Sequence, residues 1–225
     1  MFDLFRIKFS QDGGYARGRQ SVSWIAPKLQ FVTGYADYCA EFAGASFDGG
    51  LYRVHNAESA SKAGDLLRGA FPDFAKRIVP FGYDWLGRQF AFDFGRMREA
   101  EPQILLLEPG TGQALEIPTT FMEFCEVELT TETNAALAVE FFDEWSMRTS
   151  RTHALTREQC VGYVVPLYLG GSDTVENLSI TQLDVYWELC GQMLRSTRAL
   201  QVGASIASVE FTTPPIESPL AREIP

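Results

Sequence analysis

The chain has 225 residues, with 19 Lys and Arg against 29 Asp and Glu, a formal net charge of −10. That balance argues against direct binding to DNA, RNA or anionic lipid, which takes clustered cations, and suits a basic protein partner. At 46% hydrophobic and 21% charged residues, the chain can bury the core of one large domain or two small ones.

The N-terminal MFDLFRIKF alternates apolar and polar residues loosely and reads as a strand. Asp3 and Arg6 interrupt its apolar run, so it is not a signal peptide. QDGGYARGRQ reads as a loop. A short helix is expected over Tyr35 to Phe42, stopped by Gly44. Asp48-Gly49-Gly50 then turns into the short strand LYRVH. Asn56 is placed to cap a helix over 57–70, with Leu66, Leu67 and Ala70 on its apolar side. Phe71-Pro72 ends that helix, because the residue before a proline avoids helical angles.

Strands follow. RIVPFGYD and RQFAFDF flank Trp85-Leu86-Gly87 as a hairpin, with Phe90, Phe92 and Phe94 on one face. PQILLLEPGTGQALEIP is a second hairpin, whose Ile-Leu-Leu-Leu run reads as a strand buried on both faces. Thr120 and Glu123 fit a capping box for a helix that turns Phe121, Phe124 and Cys125 inward. A second helix is expected over 132–147, with Ala138, Phe141, Phe142 and Trp145 as its apolar stripe. CVGYVVPLYLGG reads as an edge strand carrying Pro166. Thr181 is expected to cap a helix over 182–196 with Leu183, Tyr186, Trp187, Cys190 and Leu194 inward. A last strand, ASIASVEF, leads into a Pro-rich tail. Adjacent hairpins with segregated helices indicate an α+β fold with a mainly antiparallel sheet.

Little in this sequence carries catalytic chemistry. His55 and His153 are the whole imidazole supply, and no G-x-S-x-G elbow is present. The four cysteines, Cys39, Cys125, Cys160 and Cys190, lie far apart and read as free thiols in a reducing cytosol. Cys125, among carboxylates, reads as a core thiol. No metal-binding loop and no cofactor motif is found, so no metal and no cofactor is expected. No run of about 18 apolar residues predicts a membrane span. Tyr83, Trp85, Arg88 and His55 could line a ligand pocket. The competing expectation puts these aromatics in the core and pairs Arg88 with an acid.

The strongest signal is charge. Residues 99–147 hold eleven carboxylates (Glu99, Glu101, Glu108, Glu116, Glu123, Glu126, Glu128, Glu132, Glu140, Asp143, Glu144) and no Lys, Arg or His. The rest of the chain is balanced, 19 basic against 18 acidic. Regular apolar positions within the stretch mark it as folded, so its charge is expected on a surface. Such a surface steers cationic partners.

FGYDWLGRQFAFD, ILLLEPGTGQALEIPTTFMEF and GYVVPLYLGGSDTVENLSITQLDVYWELCGQML, in this order and spacing, resemble the C-terminal domain of type VI secretion immunity proteins, related to the SUKH superfamily. The preceding FAGASFDGGLYRVHNAES to FPDF is similar in layout to a GAD-like region. The resemblance covers about residues 40–198 and implies a GAD-like region over 34–75 and the immunity-type domain over 76–200; an N-terminal segment over 1–33, which it does not cover, and a Pro-rich tail over 201–225 are expected to complete one compact unit. It also implies a SUKH-like fold and a non-enzymatic, cytoplasmic protein that neutralises a cognate basic toxin; the best characterised members accompany DNases. Glu123, Glu126, Glu128, Glu132, Glu140, Asp143 and Glu144 are the expected contact residues. The alternative is a small-ligand-binding protein or carboxylate-based hydrolase with a pocket at Tyr83, Trp85, Arg88 and His55.

Overall fold

A meander of six antiparallel strands carries the architecture: β1 (Ser46–Phe47), β2 (Tyr52–Val54), β3 (Ile78–Asp84), β4 (Gln89–Arg98), β5 (Glu101–Glu108) and β6 (Gln113–Ile117), each beside its sequence neighbour. The computed structural model describes residues 1–13, 22–150 and 152–198. A separate two-stranded sheet pairs β7 (Gln159–Tyr163) with β8 (Leu178–Gln182). The α+β class expected from the hairpins is therefore the observed one.

Strand periodicity divides the core into two. Phe90 and Phe92 of β4 and Ile104 and Leu106 of β5 face one side of the sheet, and Ala91, Leu105 and Leu107 the other. The first face is covered by α1 (Asp3–Lys8), α2 (Tyr35–Phe42) and the helical segment after β6. The second is covered by α3 (Ala57–Ala70) and α8 (Leu183–Thr197), which pack on each other. Helices on both faces are what bury the Ile-Leu-Leu-Leu run completely, as its unbroken apolarity predicts.

Several local expectations hold for the reasons given. Asn56 accepts from Ser59 N at 2.9 Å and Ser59 Oγ accepts from Asn56 N at 3.0 Å, a reciprocal cap on α3. Thr120 and Glu123 make the same box at the start of α4 (Phe121–Glu123). That helix continues through a π turn (Phe124–Glu128) into α5 (Leu129–Thr131). Gly87 turns the β3–β4 hairpin at φ 74°, and a Cβ there would lie 3.1 Å from the Cys160 sulfur, so only glycine fits without strain.

Four expectations are corrected. The first nine residues are not a strand. Residues 3–8 form α1, because Phe2, Phe5 and Phe9 recur at helical spacing and all three are buried. The helix expected over 132–147 is two helices, α6 (Thr133–Leu137) and α7 (Val139–Arg148), broken at Ala138 in left-handed backbone (φ 52°). Thr181 does not cap α8; it sits in β8 opposite Cys160, and Gln182 precedes the helix with no side-chain cap. Pro166 lies outside β7 and starts a 3₁₀ turn, Leu167–Leu169. The expected strand ASIASVEF and the Pro-rich tail lie outside the described residues.

Candidate partner-binding surface

The carboxylates of 99–147 meet different fates, decided first by β4 and the turn before it. Arginines there face the early acids. Arg88 Nε donates to Asp84 Oδ2 at 2.6 Å and Nη1 to Glu108 Oε1 at 3.0 Å, and Nη2 reaches the Ala136 carbonyl at 3.0 Å. Asp84 is fully buried and its second oxygen accepts from the amides of Leu86 and Arg88. Burial pushes the Asp84 carboxyl up, against the pull of Arg88. Thr111 donates to the other oxygen of Glu108 at 2.9 Å. The E-P-G-T-G turn is thus tied to the hairpin and to the end of α6.

Further along, Arg96 pairs with Glu116 at 3.3 Å and Arg98 with Glu123 at 3.0 Å. Glu101 accepts from the Thr33 hydroxyl. Glu123 also accepts from Thr120 N at 2.9 Å, and Glu126 faces the amides of Leu4 and Phe5 at 3.3 and 3.4 Å, at the start of α1. Two of the seven expected contact residues, Glu123 and Glu126, therefore serve the fold.

The later acids differ. Glu128, Glu132, Glu140 and Asp143 make no ion pair with any other of the described residues, and the last three are exposed. Glu144 lies 3.8 Å from Arg148, both half-exposed, a pairing of little energetic weight; Arg148 also bonds Glu176.

Glu140 and Asp143 border a groove of about 470 Å³ between the end of α1, the β1–β2 turn and the segment from α5 to α7. Phe9, Leu51, Val139 and Phe142 provide its apolar lining; Asp48, Asn134, Lys8, Thr131 and Thr133 are its other polar borders. The break at Ala138 shapes it. Asn134 Oδ1 accepts from Glu140 N at 3.0 Å across that break, and Glu140 falls in the first turn of α7, where a negative charge is favoured. Asp48, at φ 48°, accepts from Ser10 N at 3.0 Å, and burial raises its carboxyl above the usual range. Sequence reasoning read Asp48 only as a turn residue, and nothing in the linear pattern links it to 134–143.

The alternative pocket residues do not converge. Trp85 is fully buried, its ring centroid 5.1 Å from Phe142 and 5.8 Å from Trp145. Arg88 borders a cavity of about 160 Å³ with Glu108, Tyr163 and Asp173. His55 and Tyr83, stacked at 4.7 Å, line a different cavity of about 170 Å³. There His55 Nε2 lies 2.8 Å from Gln89 Oε1 and Nδ1 3.0 Å from Ser59 Oγ. One tautomer satisfies both: Nε2–H donates to the amide oxygen and Nδ1 accepts from the serine hydroxyl. This has the outline of a serine–base relay but poor energetics for one. Burial lowers the imidazole to about 4, far from the range an efficient base needs. A neutral Gln89 lends an imidazolium none of the charge stabilisation that a carboxylate supplies. The trio clasps α3 to the sheet. His153 is exposed in a bend.

All four cysteines are buried free thiols; burial, with the Glu126 charge second, pushes Cys125 well up, the opposite of nucleophile activation. Among the described residues no cluster of His, Cys, Asp or Glu is arranged for a metal, and no helix is long and apolar enough to cross a membrane.

Comparison with known proteins places this geometry. Residues 124–194 match the family model described as T6SS immunity protein Tdi1, C-terminal. The matched segment runs from the π turn to α8 and holds the four carboxylates that make no ion pair among the described residues. It falls inside the span 76–200 expected to resemble the type VI immunity-type domain. Among solved structures, the chain is similar to Atu4351 from Agrobacterium tumefaciens, with a TM-score of 0.56 and 16% identity over 85% of this chain and 89% of that one. At that identity the likeness is one of fold. No curated protein matches the chain.

Proposed function

We propose that this chain, with its type VI immunity-type domain over 124–194, is a non-enzymatic immunity protein that binds a cognate toxin through the acidic flank formed by Glu128, Glu132, Glu140, Asp143 and Glu144. The observation that carries the reading is the selective absence of ion pairs. The fold matches the early acids of the stretch with arginines and backbone amides, and leaves Glu128, Glu132, Glu140 and Asp143 without an ion pair among the described residues, the last two beside a groove. Leaving like charges together on a surface costs stability through repulsion, and a partner of opposite sign relieves it.

The partner that fits is a cationic protein. A nuclease is a natural member of that class, since its cleft must hold phosphates; carboxylates docked there stand in for the phosphate oxygens and shut the substrate out. Neutralisation of this kind needs no chemistry from the immunity protein, only affinity and fast encounter.

The test is binding of a cognate toxin at several salt concentrations, the candidate being any toxin reading frame adjacent to the one for this chain. Reversing Glu132, Glu140 and Asp143 to Lys should slow association at least tenfold and flatten its salt dependence. Affinity and salt dependence that survive all three reversals would reject the assignment.

A further inference from the structure

We propose that α1 supplies the apolar half of the same interface, so that the partner inserts an aliphatic or aromatic side chain beside the cation that enters the acidic groove. This rests on the reading of the acidic flank given above.

The helix has two unlike sides. Phe2, Phe5 and Phe9 bury one of them. On the other, Leu4 is 52% and Ile7 82% exposed, three residues apart and so neighbours on the helix surface. Val127, 49% exposed, directly follows Glu126, whose carboxylate faces the Leu4 and Phe5 amides. α1 packs against this π turn and α5. Three large aliphatic side chains thus stand outward on adjoining elements.

Charge on this face is spent elsewhere. Arg6 is held by Asp3 at 2.7 Å and by Glu41 at 2.6 Å, so the helix offers an incoming cation little repulsion from that guanidinium. Lys8 and Phe9, at the end of the same helix, line the groove that holds Glu140 and Asp143. Apolar ridge and acidic groove are therefore continuous through α1. An exposed aliphatic cluster bordered by charge that is mostly negative, Lys8 against Asp48, Glu140 and Asp143, has the anatomy of a docking site: the apolar centre excludes water and sets residence time, and the charged rim sets encounter rate. Complementarity selects a cationic protein surface with an apolar residue at its middle. A nucleic acid or an anionic membrane is repelled by the same acids.

The experiment measures association and dissociation of the full chain with the same candidate toxin, in two variant sets. Leu4→Ser/Ile7→Ser/Val127→Ser changes only exposed side chains, and its fold is checked by thermal melting. It should speed dissociation at least tenfold and leave the salt dependence of association intact. Glu140→Lys/Asp143→Lys should do the reverse. Wild-type dissociation from the serine set, with association lost in the lysine set, overturns the role of α1 and leaves the acidic flank standing. Normal association in the lysine set overturns the acidic flank and, with it, the paired recognition proposed here, whatever the serine set does.

Discussion

The two halves of the carboxylate-rich stretch have the same composition and opposite uses. From Glu101 to Glu126 the acids are structural: Glu108 meets Arg88 just before β4, Glu116 and Glu123 meet Arg96 and Arg98 of β4, and Glu126 faces the start of α1. From Glu128 to Asp143 no ion pair forms among the described residues. The difference comes from which element lies alongside. β5 runs beside β4, which carries Arg96 and Arg98 and directly follows Arg88, and β6 lies next to β5, whereas α6 and α7 border a groove whose one cation among the described residues is Lys8. A block of like charge is thus part scaffold and, on the function proposed above, part docking surface, and net charge alone conceals the division.

The sharpest way to break that comparison is in the scaffold half. Replacing Arg88 with Met leaves Asp84 and Glu108 buried without their counter-ion, and should cost about 3–5 kcal/mol in urea unfolding; a loss below about 1 kcal/mol would show that these acids are no more structural than the later ones.

Next comes the acid limb of stability, which separates the buried imidazole from the carboxylates. His55 has an ordinary value of 6.5, lowered to about 4 when folded. Between those values the unfolded chain binds a proton that the native state excludes, so stability should fall as pH drops from 6.5 towards 4 and change little above 6.5 on this account. The full shift corresponds to about 3 kcal/mol. Urea titrations at pH 4.5 and 7 should show a smaller acid loss in His55→Gln than in the parent chain.

A smaller effect sharpens the boundary between the halves. Thr120→Ala removes one arm of the capping box that engages Glu123 and should cost about 1 kcal/mol. Smallest of all, Glu140→Lys/Asp143→Lys should alter unfolding stability by no more than about 0.5 kcal/mol. Equal stability costs in Thr120→Ala and this pair would erase the distinction.

Legibility in the sequence followed locality. The caps at Asn56 and Thr120, the hairpins around Trp85-Leu86-Gly87 and the E-P-G-T-G turn, and the two-sided burial of Ile104 to Leu107 are all set by residues within a few positions of each other. The misreadings are equally physical. In the first nine residues short period-2 and period-3.6 patterns overlap, and only packing of Phe2 and Phe5 against Tyr38 and Phe42 separates them. At Ala138 no glycine or proline announces a break. For the candidate site, the charge run singled out the stretch, but the roles of Glu123 and Glu126 depend on Arg98 and α1, and Asp48 and Lys8 join the groove from far away in the chain.

By itself the sequence determined where charge and apolarity concentrate, and with them the strands, the caps and the acidic bias, because these depend on side-chain chemistry and near neighbours. Only the tertiary structure decided which acids are neutralised and which make no ion pair among the described residues. Ion pairing is a matter of distance in space, and the chain brings Arg88 to Glu108, and sets Lys8 and Asp143 around one groove, only by folding.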